Sequence, residues 1–110
     1  MMRPAMSATA AGLIRALLAR SGIARERVLL TDYRSTEWHS LTFDGERHQI
    51  GFRFPGPDSS GAVKRLLDGL ADAEFTLRGQ LVADIAVEHR PKLHPDGAIS
   101  VGLEALTIAI

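Results

Sequence analysis

The feature that most constrains this chain is a corner. Asp44-Gly45 stands between two β-favouring runs, Glu37 to Phe43 and His48 to Phe54, and that dipeptide is a strong signal for a two-residue hairpin turn, because both turn positions take positive φ. A turn centred there sets a register. Phe43 then faces Glu46, Leu41 faces His48, His39 faces Ile50 and Glu37 faces Phe52. This places Leu41, Phe43, Ile50, Phe52 and Phe54 on one side of the hairpin, interleaved with Glu37, His39 and His48. The other side carries Trp38, Ser40, Thr42, Arg47, Gln49, Gly51 and Arg53, with the Trp38 indole covering Gly51 across the strands.

The rest of the chain supplies two helices and more strand. Leu13, Ile14, Leu17 and Leu18 share one helical face between Ser7 and Arg20; Ser7 or Thr9 caps that segment, and Gly22 supplies the left-handed residue that stops it near Ser21. Val28 to Tyr33 reads as a further short strand. After Pro55-Gly56-Pro57, a helix capped by Asp58, Ser59 or Ser60 shows a core-facing stripe of Val63, Leu66, Leu67 and Leu70. Beyond Phe75, Leu77, Leu81, Ala83, Ile85 and Val87 alternate with polar residues, as do Ile99, Val101, Leu103 and Ala105, which predicts a second hairpin closed by a loop containing His94-Pro95-Asp96-Gly97. Near Glu104 to Leu106 the apolar parity changes, as a β-bulge or strand end requires. His89 and His94 are assigned to the loop region. The expectation is an α+β two-layer sandwich: an antiparallel sheet of four to five strands in two hairpins, one core helix between the hairpins and one N-terminal helix, with residues 1 to 6 a flexible tail and residues 7 to 110 a single domain.

Composition narrows the function classes. The chain has no cysteine, which excludes disulfides, thiolate metal sites and a thiol nucleophile and fits a cytoplasmic setting. Thirteen basic residues balance thirteen acidic ones, so the cationic footprint of a nucleic-acid binder is missing. Arg15 and Arg20 interrupt the longest apolar stretches, and no membrane association is expected. Residues 1 to 53 hold eight basic and five acidic groups and residues 54 to 110 five and eight, which is either a chance imbalance or a split favouring head-to-tail contact between copies.

Each chemical motif has a structural alternative. Gly56 and Gly61 have the spacing of a phosphate loop, but Ala62 and Val63 follow where Lys and Ser or Thr are needed. Leu17 to Leu30 has some helix-turn-helix character around Gly22, which the β-prone Val28 to Tyr33 opposes. His39 and His48 become diagonal neighbours in the register above, with Glu37 on the same face, so the three form a candidate acid-base or metal site or a set of core-margin side chains. Asp84, Glu88 and Glu104 read as an exposed acidic set pairing with Arg47 and Arg53. No serine has an adjacent base or lies in G-x-S-x-G.

The run Trp38-His39-Ser40-Leu41-Thr42-Phe43-Asp44-Gly45-Glu46-Arg47-His48, with Leu81-Val82-Ala83-Asp84-Ile85, resembles a group of small bacterial hypothetical proteins over residues 34 to 108. The resemblance implies no activity, cofactor or site residue. The leading expectation is a non-enzymatic binding or assembly module that forms a homodimer through its uncovered sheet face or a sheet edge, with Trp38, Arg47 and Arg53 at the interface. The alternatives are an enzyme or metal site built on His39, His48 and Glu37, and a carrier of a small apolar ligand held between the sheet and the N-terminal helix. No cofactor is expected.

Overall fold

Helix α1 spans Ala8–Ser21 because both ends are specified locally. Ser7 Oγ accepts the Ala10 amide at 3.1 Å, and Gly22 leaves the helix at φ 72°. These features belong to a computed structural model that describes residues 6 to 110. The tail expected over residues 1 to 6 therefore lies, except for Met6, outside the described residues. Helix α2 spans Ser59–Leu67 and begins at Asp58, whose carboxylate takes no helix amide and instead accepts a hydrogen bond from Arg65 Nη2 at 2.8 Å. Gly69 at φ 66° turns the chain, so Leu70 completes the apolar stripe from a separate 3-10 turn, Leu70–Asp72. Residues Arg25–Arg27 form one 3-10 turn that runs directly into strand from Leu29, which removes the helix-turn-helix reading.

The helices clasp each other's ends. Arg65 Nε donates to the Ser21 carbonyl at the end of α1, while Arg20 donates to Leu66 and Asp68 carbonyls at the end of α2, at 2.7, 3.2 and 2.6 Å respectively. Each guanidinium occupies the negative end of the other helix, where terminal carbonyls lack intrahelical partners.

Four strands, β1 (Leu29–His39), β2 (Asp44–Phe54), β3 (Gln80–Leu93) and β4 (Ile99–Ala109), form one antiparallel sheet in the order β1-β2-β4-β3. The fold is α+β in two layers, as the sequence predicts. The runs from Val28 to Tyr33 and from Glu37 onward are not separate strands; Leu29 to His39 is one continuous β1, and Val28 lies just before it. No helix among the described residues is long and apolar enough to cross a membrane.

The first hairpin does not turn at Asp44-Gly45. His39 pairs with Asp44 and Trp38 with Gly45, so the corner is Leu41-Thr42, three residues earlier. Ser40 makes it possible: its amide donates to the Phe43 carbonyl at 2.8 Å, and its hydroxyl accepts the Phe43 and Thr42 amides at 2.9 and 3.3 Å. No residue other than glycine has positive φ among the described residues, so the turn chemistry that favours Asp-Gly is not used here. Leu41 and Phe43 consequently project from the sheet end into solvent. Moving the corner by three residues shifts every cross-strand partner by six, an even number, and therefore leaves the faces unchanged.

Ile50, Phe52 and Phe54 do point inward, meeting Val101, Leu103 and Ala105 of β4 and, from the helices, Leu13, Ile14, Leu17, Ala62, Val63 and Leu66. The expected irregularity near Glu104 is not in β4, which alternates cleanly to Thr107. It lies on its neighbour: β3 slips at Val82/Asp84, Val87/His89 and His89/Lys92. The first slip puts Val82 and Ile85 inward and leaves Leu81 outward. His89 is a strand residue rather than a loop residue.

Replacing Phe52, 1% exposed, with Ala is expected to cost about 3–5 kcal/mol, whereas Leu41→Ala is expected to stay within about 0.5 kcal/mol. Urea denaturation of the two variants checks this, and equal losses would place the corner back at Asp44-Gly45.

Candidate interaction surface

Because both helices pack on one side, the other side of the sheet is left open among the described residues, and its side chains follow in rows across β1, β2, β4 and β3. The row nearest the hairpin tip is Trp38, Gly45, Ile108 and Leu81; the next is Thr36, Arg47, Leu106 and Asp84; then come Arg34, Gln49, Glu104 and Ala86; then Asp32, Gly51, Gly102 and His89. The face is thus apolar at one end and charged along the rest. Trp38 covers a strand glycine as expected, but the glycine is Gly45, not Gly51: a Cβ there would lie 2.6 Å from Trp38 Nε1 and would also collide with the Thr107 carbonyl. The indole N–H is enclosed without a hydrogen-bond partner among the described residues.

The other two residues expected at an interface are held within the chain. Arg47 pairs with Glu104 at 2.5 Å, as the reading of the acidic residues has it, whereas Arg53 takes Asp96 at 2.9 Å, which lies outside the set Asp84, Glu88 and Glu104. The Asp96 carboxyl is held below its usual range by the Ala98 amide and then by Arg53. Glu88 accepts from Gln49 Nε2 at 3.0 Å, and Asp84 lies in the row of Arg47 but two strands away, with Leu106 between them. Over the central pair Gly51 and Gly102, the bulged edges fold inward: Thr31 and Asp32 from β1, His89 from β3. An open groove of about 440 Å³ remains between them.

Among the described residues, β1 is uncovered on more than its outer face. Beside its inward side lies a cleft of about 790 Å³, bounded by Met6 and Ser7 at the start of α1 and by Leu30, Tyr33, Ser35, Glu37 and Glu46. Glu37 and Glu46 are direct cross-strand partners, a like-charged pair that opposes pairing unless solvated or compensated. The compensation falls on Glu46, whose Oε2 accepts from Ser35 and Ser7 hydroxyls at 2.8 and 3.1 Å. In the sequence Glu37 groups with the histidines and Ser7 reads as a cap, but the meeting of these residues gives no signal there, since they come together only once the corner is at Leu41-Thr42.

The His39, His48 and Glu37 constellation is not assembled. His39 lies at the exposed hairpin end, 2.7 Å from Asp44 Oδ1, whose hydrogen bond and charge raise its pKa. His48 sits four residues further along β2, about 13 Å away at the rise of a strand. No group of three potential metal ligands occurs among the described residues. His48 is fully buried, with Nε2 3.0 Å from Thr107 Oγ1, and Thr107 in turn donates to the Glu46 carbonyl at 3.4 Å. Nδ1 has no partner among the described residues, so Nε2 is the ring nitrogen engaged in the sheet. His94, in the second hairpin loop, lies 2.7 Å from Ser100 Oγ at the start of β4, so one serine does have an imidazole beside it, contrary to expectation. At Gly61, a Cβ would meet Asp58 Oδ1 at 2.5 Å; a carboxylate occupies the place a phosphate would need.

Comparisons of the chain with protein-family models, curated proteins and solved structures gave no match.

Burial lowers the His48 pKa from 6.5, with Glu46 opposing in part. The unfolded chain therefore takes up a proton near pH 6.5 that the folded chain refuses, and stability is complete above that pH and declines as pH falls below it. Urea midpoints measured from pH 8 to 5 are expected to show this decline, and His48→Gln is expected to flatten it. A wild-type curve no steeper than the variant's would mean that the buried imidazole accepts the proton.

Proposed function

We propose that this protein is a non-enzymatic binding or assembly module that works in the cytoplasm as a homodimer. The observation that carries the reading is the one-sided helix layer, which leaves β1 with an open edge, an open outer face and a cleft on its inner side. A two-layer α+β domain with one such strand is completed most simply by another copy, because a symmetric partner brings the same surface to meet it. The separation of His39 from His48 supports a role that does not depend on acid-base chemistry. Of the three side chains expected to make the contact, Trp38 belongs to β1 itself, while Arg47 and Arg53 already have intramolecular carboxylate partners and would contribute as a fixed rim.

A second reading has its own support. The cleft beside Tyr33 adjoins a smaller one of about 220 Å³ lined by Ile14, Leu18, Val28 and Phe52, with Arg15 and Arg25 also on its wall, and the two share Met6 and Leu30. An apolar slot between α1 and the sheet is the place where a small-ligand carrier would hold its cargo. Any ligand selective for the native state raises the melting temperature, so a thermal-shift screen of small apolar compounds tests it, and a screen without a shift counts against it.

The homodimer is expected to appear in sedimentation equilibrium as twice the chain mass in the micromolar range. A strict monomer at high micromolar concentration would overturn the proposal.

A further inference from the structure

Resting on the homodimer reading, we infer that the second copy binds along β1, antiparallel to it, with the twofold axis passing through Thr36, so that the two sheets join into one of eight strands. Two edges are available and they differ. β3 slips against β4 at three places and carries Arg90, Pro91 and Lys92 near its end; slips, proline and lysine are the usual means of preventing strand addition. β1 has one irregularity, between Leu30 and Asp32, and from Asp32 to His39 its pairing with β2 is unbroken. An eight-residue regular edge can accept a partner strand along its whole length.

The side chains then select the register. In a twofold antiparallel pair, a residue on the axis meets its own copy, and residues equally far on either side meet each other. An axis at Arg34 or at Glu37 opposes like charges directly and is disfavoured. An axis at Tyr33 or earlier drives the partner onto the irregularity at Leu30/Asp32, and one at Trp38 or later leaves only the hairpin end paired. An axis at Ser35 sets Asp32 against the partner's Trp38 and Tyr33 against the partner's Glu37. With Thr36 on the axis, Arg34 lies over the partner's Trp38 on the outer face, twice per dimer. On the inner face Tyr33 meets the partner's His39, and Ser35 meets the partner's Glu37. The indole lies across Gly45, which presents it flat for a guanidinium to stack on. The assembly closes at two copies, because its remaining edges are both β3.

The chain contains no cysteine, so single introduced thiols report the register directly. Thr36 is exposed, and in this arrangement the two Thr36 Cα atoms lie about 4.5–5.5 Å apart, within disulfide range. Single cysteines placed at each position from Asp32 to Trp38, and at Asp84 on β3, would be oxidised in the otherwise native protein and separated without reductant. The linked dimer is expected to peak at Thr36→Cys and to be lost at Asp32→Cys and Asp84→Cys. A peak elsewhere along β1, or at Asp84, in a protein that sediments as a dimer would overturn this register while leaving the homodimer. A monomer in sedimentation would overturn both.

Discussion

The pairing of β2 with β4 is the constraint on which the remainder of the molecule rests. Ten consecutive pairs run from Gly45 and Ile108 to Phe54 and Ile99 without a slip, whereas both outer strands break step with their neighbours. Six of the seven buried apolar strand residues in the core lie on these two strands, Ile85 of β3 being the other. The helices need a flat, continuous apolar surface to pack against, and only the central pair provides one. The outer strands are thereby released from core duty, and their side chains can be polar, bulged or turned outward at little cost to stability.

This division explains which parts of the fold were legible in the sequence. Helix ends depend on groups within a few residues, so Ser7, Gly22 and the stripe Val63, Leu66, Leu70 could be read directly. Face membership in β2 and β4 could also be read, since apolar alternation there answers to one core. The first corner was not legible from its dipeptide. Asp44-Gly45 carries the composition of a turn, but Gly45 is required by the indole of Trp38 pressing on it, and Asp44 by its contact with His39. Ser40, which looks like an ordinary strand residue, closes the real turn with its hydroxyl, a local side-chain substitute for a backbone partner.

The candidate site was less legible for the same reason. The proximity of Glu37, Glu46, Ser7 and Ser35 depends on the hairpin register and on where α1 starts, and a three-residue error in the first dissolves it. The histidines show the converse: with the corner moved, an apparent pair becomes one solvated imidazole and one buried imidazole, each with a structural partner. The apolar parity change near Leu106 misled for a related reason: β4 stays regular, but its inward Thr107 is polar because it meets the buried His48, while Leu106 and Ile108 are apolar on the outer face.

β3 uses fourteen residues to span the length that β4 covers with eleven, the surplus being taken up at its three slips. Chain length along this margin is therefore decoupled from the central ladder. Related sequences can gain or lose single residues between Val82 and Lys92 without re-aiming any buried side chain of β4, and natural length variation in such a protein should gather there, away from the gapless segments at Gly45 to Phe54 and Ile99 to Ile108.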